Sequence, residues 1–193
     1  MYRKDRKQDP YTILAQKQGY PARSVYKLKE IDEKYKIIKR GDKVLDLGCA
    51  PGSWLLYISE KTGNKGKAVG IDTEDIEIAE KPNVSFIKKS IFDLKDSDFK
   101  EKFQAVVSDL APKTSGVKFL DSEKSLEMAE KSFEIAKSFL EPGGNFICKV
   151  FENDSSRELF EKVKERFEFA KRFRPKAVSS QSKEFYIIGK GFY

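Results

Sequence analysis

From residue 43 onward, short apolar runs alternate with stretches whose apolar residues recur every three or four positions. The runs Lys43–Leu47, Ala68–Ile71, Val84–Ile87, Ala105–Ser108, Asn145–Phe151, Phe167–Phe173 and Phe185–Ile188 predict strands. Between them, Ser53–Lys61, Ser122–Leu140 and Ser155–Arg166 carry the helical period. Upstream, Pro10–Gln18, closed by Gly19, predicts a short helix. Val25, Leu28 and Ile31, with Tyr35 less regularly, mark a second helix over Ala22–Tyr35. Arg40-Gly41-Asp42, "GNKG" and "EPGG" punctuate the chain as turns. Strands and helices in alternation call for an α/β, doubly wound, mostly parallel sheet. The last two strands are joined by Pro175–Ser182, which allows an antiparallel hairpin to finish it. No repeat or linker divides the chain, so residues 1–193 read as one domain with residues 1–40 as a basic helical appendage.

Composition narrows the function classes. The chain has 193 residues, 36% charged and 39% hydrophobic, which fits a polar-surfaced globular protein. No apolar run approaches the roughly 18 residues needed to cross a membrane, and the start, "MYRKDRKQDPY", lacks the apolar core of a secretory signal. Cys49 and Cys148 are too few for a disulfide framework and are not spaced for zinc. These features predict a cytoplasmic protein without a metal. Residues 1–40 hold twelve Lys or Arg, including Arg3, Lys4, Arg6 and Lys7, against five acids, and their excess of +7 is the whole net charge of the chain. A basic arm on a neutral body suits a polyanion such as RNA, through counterion release; a solvated lysine-rich surface is the alternative.

The segment "VLDLGCAPGSW", Val44–Trp54, runs a strand into a glycine turn. Open α/β sheets bind ligands beyond the carboxyl ends of their strands. The turn reads G-x-x-x-G: the middle glycine of a dinucleotide loop is replaced, Pro51 removes an N–H donor, and no Gly-Lys-Ser/Thr follows. A ligand without phosphates fits better. Asp72 in "AVGID" stands 20 residues after Gly52, where an acid can accept the hydroxyls of a ribose. A ribose-bearing, phosphate-free cofactor points to S-adenosylmethionine, with S-adenosylhomocysteine as product. The alternative is a turn that serves only strand–helix packing.

"ARSVYKLKEID", "VLDLGCAPGSW", "VGID", "SDLAP", "GGNFICKVF" and "SKEFYIIG" occur in order from Arg23 to Gly189. This set resembles the FtsJ/RrmJ family of RNA ribose 2′-O-methyltransferases. The resemblance implies a Rossmann-like methyltransferase fold, S-adenosylmethionine as donor and RNA as acceptor. It also implies a catalytic set of Lys27, Asp109, Lys149 and Glu184. The chain has no histidine, so activation of a hydroxyl falls to other groups in any case. Asp109 follows the apolar run "AVVS", at a strand's carboxyl end. Lys149 lies within "NFICKVF", where a buried amine must be paired or lose its charge. Lys149 then accepts the hydroxyl proton or, as a cation, stabilises the alkoxide. Duller roles stand beside these: a phosphate contact for Lys27, a turn cap for Asp109, a snorkelling edge charge for Lys149, and a pair with Lys183 or Arg174 for Glu184.

By the same resemblance Gly48, Ala50, Pro51, Gly52, Ser53, Trp54, Asp72 and Asp109 surround the cofactor, although Trp54 also suits a core. The family's adenine-binding Asp is missing from "FIKKSIFD", and Ser90 or the backbone at Ile91 takes its place. Tyr2, Tyr11, Tyr20, Tyr26 and Tyr35 are interleaved with the basic residues as candidate stacking platforms, and Arg23 and Lys27 share a helix at a spacing of four. "RFRPK" adds basic charge near the end of the sheet. The leading expectation is a monomer that methylates a uridine ribose of large-subunit ribosomal RNA. The alternatives are a tRNA anticodon-loop enzyme, a non-catalytic RNA-binding assembly factor, a nicotinamide-dependent oxidoreductase and a small-molecule methyltransferase.

Overall fold

The computed structural model describes residues 9–113 and 115–193; Tyr2, Arg3, Lys4, Arg6 and Lys7 lie outside them. Seven strands form one sheet: β1 (Lys43–Leu47), β2 (Lys67–Asp72), β3 (Val84–Lys88), β4 (Phe103–Ser108), β5 (Leu140–Phe151), β6 (Phe167–Phe173) and β7 (Glu184–Phe192). Their order is β3-β2-β1-β4-β5-β7-β6. β7 pairs antiparallel with both β5 and β6, and the other ladders are parallel, so β7 alone runs against the rest. The expected doubly wound sheet with one antiparallel C-terminal strand is therefore present, with β7 inserted between β5 and the edge strand β6.

Helices cover both faces. α1 (Pro10–Lys17), α2 (Val25–Tyr35) and α3 (Ser53–Thr62) precede α4 (Lys118–Phe139) and α5 (Ser156–Lys164). Side chains alternate across a strand, so each strand feeds two cores. On one face Leu28 and Ile31 of α2 and Leu55 and Ile58 of α3 bury Val44, Ala105, Val107, Ile147 and Ile188. On the other, Phe133 and Phe139 of α4 and Leu159 and Val163 of α5 cover Leu45, Val106, Phe146, Cys148 and Ile187. No helix among the described residues is long and apolar enough to cross a membrane.

Several boundaries depart from the sequence reading, with β7 for example running on to Phe192, and three of them bear on how the fold is held. α2 starts at Val25, not Ala22, because the Ala22 N–H donates to Ser53 Oγ (2.6 Å) and holds residues 21–24 in a turn. α4 starts at Lys118, ahead of Ser122, since Asp121 accepts hydrogen bonds from the Ser115 and Gly116 N–H groups and fixes the entry. β5 starts at Leu140, within the expected turn. Leu140 pairs with Phe103, the register shifts across Pro142–Gly144, and the ladder resumes at Asn145 opposite Ala105.

Candidate active site

One face of the sheet assembles the site. Lys149 lies opposite Tyr186 in the β5–β7 ladder, and Phe151 lies opposite Glu184. The period of two therefore sends Lys149, Tyr186 and Glu184 to the same side, the side covered by α2 and α3. Asp46 pairs with Val107 in register, so β1 adds its carboxyl to that face. Asp109 leaves the carboxyl end of β4 beside them.

Lys27 arrives from far away in sequence because α2 is fastened to α3. Trp54 Nε1–H donates to the Ser24 carbonyl (2.8 Å), and Ser53 Oγ holds Ala22. The buried Asp32 carboxylate accepts bonds from the Tyr57 hydroxyl (2.7 Å) and the Ile38 N–H (2.8 Å), and pairs with Lys61 (2.9 Å). With α2 fixed, Lys27 on its buried face forms an ion pair with Glu184.

The four residues named from the resemblance thus come together as two ion pairs. Lys149 Nζ lies 3.0 Å from Asp109 Oδ1 and 2.5 Å from the Asp109 carbonyl, so Asp109 takes two of its three N–H bonds. The Tyr186 hydroxyl donates to the same Oδ1 (2.6 Å), and Lys27 Nζ stands 6.0 Å from the Tyr186 ring centre. Burial would raise the pKa of Asp109, but the charges of Lys149 and Lys27 and the Tyr186 hydrogen bond outweigh it. Its carboxyl is held below the ordinary range. Burial and the adjacent Asp109 push the Tyr186 phenol well above its usual value, so it stays a donor.

Tyr186 was not singled out in the sequence. It is fully buried and stacks on Trp54 (centroids 6.0 Å, 30°), and alternation with Glu184 along β7 is its only sequence signal. The contacts that the duller roles require are absent among the described residues for all four. Lys149 sits on a central strand, Lys27 is engaged by Glu184 rather than free for phosphate, and Asp109 binds side chains rather than capping a turn. Glu184 pairs with Lys27; Arg174 reaches only its main-chain carbonyl (3.4 Å).

The glycine turn follows β1 as expected. Gly48 (φ 76°) and Gly52 (φ 112°) adopt conformations that side chains rarely take, and a Cβ at Gly48 would lie 2.4 Å from Leu110 Cδ2. The Ala50–Pro51 peptide is cis. Asp72 Oδ2 accepts the Ala50 N–H (2.9 Å) and Oδ1 the Glu74 N–H (3.0 Å), so the second strand's acid braces the turn. The Glu77 N–H donates to the Pro51 carbonyl (2.8 Å), laying Ile76 and Ile78 against Gly52. Ser90 caps the short 3-10 turn Ile91–Asp93, while the Lys89 N–H binds the Asp72 carbonyl (2.9 Å) and brings Ser90 and Ile91 to the rim. Ser53 and Trp54 spend their polar atoms on the segment before α2, and Trp54 packs in the core.

Asp46 supplies the clearest mark of a ligand. It is fully buried, and neither carboxylate oxygen has a hydrogen-bond partner among the described residues. Burial, then the neighbouring Asp109 and Asp72, push its pKa well up. An orphaned buried carboxylate suits a site built for a cation. The ammonium and sulfonium charges of S-adenosylmethionine match it, so the residues present fit that cofactor.

The expected stacking platforms fare unevenly. Tyr20 is buried with its hydroxyl on Glu60 (2.6 Å) and offers no free face. Arg23 precedes α2 and pairs with Asp9 (2.9 Å), so it does not share a helix face with Lys27. Arg172 pairs with Glu152, and Arg174 binds the Ser179 carbonyl (2.9 Å).

Known proteins share this architecture. A family model described as FtsJ-like methyltransferase matches residues 20–192. The ribosomal RNA large subunit methyltransferase E of Desulfatibacillum aliphaticivorans is 42% identical over 184 residues, covering 94% of this chain and 89% of the relative. That of Desulforapulum autotrophicum is 43% identical over 186 residues, covering 95% and 92%. Among solved structures, a Plasmodium falciparum ribosomal RNA methyltransferase superposes with a TM-score of 0.79 at 30% identity, over 90% of this chain and 98% of that one. Fibrillarin of Aeropyrum pernix, solved with S-adenosyl-L-methionine, shares the fold at 17% identity, with a TM-score of 0.56 over 79% of this chain and 68% of its own.

Proposed function

The chain belongs to the FtsJ-like methyltransferase family, and on that premise we propose that it methylates a ribose 2′-hydroxyl of large-subunit ribosomal RNA. S-adenosylmethionine supplies the methyl group: the O2′–methyl bond forms as the methyl–sulfur bond breaks, leaving a neutral thioether and releasing the hydroxyl proton.

The protein's share is to hold, orient and accept. Gly48, Ala50, Pro51 and Gly52 would form the wall against the cofactor, with the buried Ser53 and Trp54 fixing α2 behind it, while Asp72 would take its ribose, Ser90 and Ile91 its adenine, and Asp46 its positive end. Lys149, whose other N–H bonds go to Asp109, turns its third toward O2′ and stabilises the charge that builds there. Methylation makes the attacking oxygen strongly acidic, so a carboxylate held ionised, as Asp109 is, can receive the proton. Lys27 and Glu184 close the pocket and exclude water, which strengthens each of these interactions. The enzyme acts as a cytoplasmic monomer and requires no metal.

The observation that carries this reading is the meeting of two lysines and two carboxylates at the glycine-turn end of the sheet. The test is label transfer from S-adenosylmethionine to large ribosomal subunits from cells lacking this protein, with bulk tRNA as the competing substrate. Label in the ribosomal RNA, lost about a hundredfold or more in Lys149→Ala with S-adenosylhomocysteine binding retained, is expected. Label in tRNA alone refutes the substrate, and an active Lys149→Ala refutes the role.

A further inference from the structure

Next to Glu184 the surface opens into a cleft of about 420 Å³ that the two ion pairs do not use. Phe119 and Lys118 at the start of α4 form one wall, Phe151 the floor, and Ser182 and Lys183 the opposite wall. Phe119 is 69% exposed and is flanked by Val117 and Leu120, both about half exposed. A single exposed apolar side chain is ordinary, but three within four residues, one of them lining a cleft, mark a contact surface.

The charges beside it are unequally committed. Asp121 accepts bonds from Ser115 N–H, Ser115 Oγ and Gly116 N–H, and Glu152 is paired with Arg172. Lys118 and Lys183 make no ion pair among the described residues. Two lysines without an ion pair among the described residues therefore line the same cleft as an exposed aromatic ring. The far wall is braced, since Arg174 donates to the Ser179 and Ser182 carbonyls. It is also continuous with the reacting groups: Ser182 Oγ accepts the Glu184 N–H (3.2 Å) and lies 3.4 Å from Glu184 Oε2.

We propose that this cleft seats an unpaired nucleobase of the substrate strand, stacked on Phe119, with adjoining phosphates on Lys118 and Lys183. The proposal rests on the RNA-methylation reading above and specifies it: the substrate is locally single-stranded at the site. A nucleobase held in a duplex has no free face for Phe119, whereas an unstacked one offers its ring to the aromatic and its phosphates to the lysines. A protein partner would use the apolar trio but has no need of two such lysines beside the tetrad.

The test compares two probes on the full-length protein saturated with S-adenosylhomocysteine: nona-uridylate and an abasic ribose-phosphate chain of the same length. Wild type binds nona-uridylate more tightly. Phe119→Ala loses about five- to hundredfold on nona-uridylate and little on the abasic chain, while Phe119→Tyr retains the affinity and Phe119→Leu does not. Lys118→Ala and Lys183→Ala weaken both probes alike, each flattening the salt dependence by about 0.7 in slope. Unaltered cofactor binding and melting temperature in the Phe119 variants show that the fold is intact. Wild type that ignores the bases, a Phe119→Ala protein that binds like wild type, or a Phe119→Leu protein that matches wild type overturns the proposal. Loss confined to intact subunits assigns the cleft to a ribosomal protein and overturns it too. Failure of the methylation reading registers separately, as the absence of 2′-O-methyl product with the unaltered enzyme.

Discussion

Replacing Asp46 by asparagine tests the cofactor site with a change of one charge and almost no volume. Both Asp46 oxygens are buried and unpartnered among the described residues, and the carboxyl's pKa is driven up by burial and by Asp109 and Asp72. An acid whose folded value exceeds its unfolded value, near 3.8, takes up a proton on folding. Its favourable contribution is present at low pH and is lost as pH rises toward the raised folded value. The amide in Asp46→Asn does not titrate. The stability difference between variant and wild type should therefore be small near pH 4 and should grow in the variant's favour with rising pH. A buried unsatisfied polar group costs about 1–3 kcal/mol, and because the amide stays polar the gain should fall in the lower half, about 1–2 kcal/mol. For a chain of this length that is a rise of roughly 2–8 °C in melting temperature. Affinity for S-adenosylhomocysteine should move the opposite way. Losing a charge-assisted bond to the ligand's ammonium costs about 1.5–3 kcal/mol, or roughly 10- to 150-fold in Kd. Thermal melts from pH 4.5 to 8.5 and calorimetric titration measure the two effects. A variant that is less stable than wild type at pH 8, or that binds the ligand as tightly, refutes the reasoning.

Two further predictions concern the ion pairs. Removing one partner of the largely buried Lys27–Glu184 pair, as in Lys27→Met or Glu184→Gln, should destabilise by about 3 kcal/mol, the lower end for buried pairs because the site opens onto the rim, since a charge is left alone there. The double variant should regain much of that loss in urea melts while remaining inactive on ribosomal subunits. Tyr186→Phe removes one of the interactions that hold the Asp109 carboxyl down, so the pKa of Asp109 rises. If activity needs that carboxylate ionised, the acid limb of the pH–rate profile moves to higher pH, and an unmoved limb excludes Asp109 as the titrating group.

The sheet was legible because its central strands are buried and apolar and its turns carry glycine and proline; boundaries moved, some of them where side chains such as Ser53 and Asp121 hold the backbone. The four candidate residues were legible as a set only through resemblance, although strand position also marked Asp109 and Lys149. Lys27 stands more than 150 residues before Glu184, and no periodicity announces that α2 will dock on α3 through Trp54, Ser53 and Asp32. Tyr20 misled because an aromatic in a basic segment reads the same whether it stacks on a base or turns inward onto Glu60. Tyr186 was hidden for the converse reason: an alternating strand expects a buried aromatic at that position, and the hydroxyl that reaches Asp109 leaves no trace in the pattern.

The two ion pairs differ in what supports them, and that difference suits them to different work. Lys149 and Asp109 rise from adjacent central strands, β5 and β4, and Tyr186 from the neighbouring β7 locks them; none of the three can shift without disturbing the sheet. Lys27 and Glu184 stand on the edge of that arrangement, one on a helix held by a few hydrogen bonds, the other at the first residue of β7 beside the braced loop that walls the Phe119 cleft. A rigid pair suits the atom where bonds change, since catalysis there depends on preorganised geometry. A pair at the rim suits the group that must part and re-form as a strand of RNA enters. Lys149 variants should then fail chiefly in kcat, whereas Lys27 variants should also lose affinity for the RNA, and their two kinetic constants separate the roles.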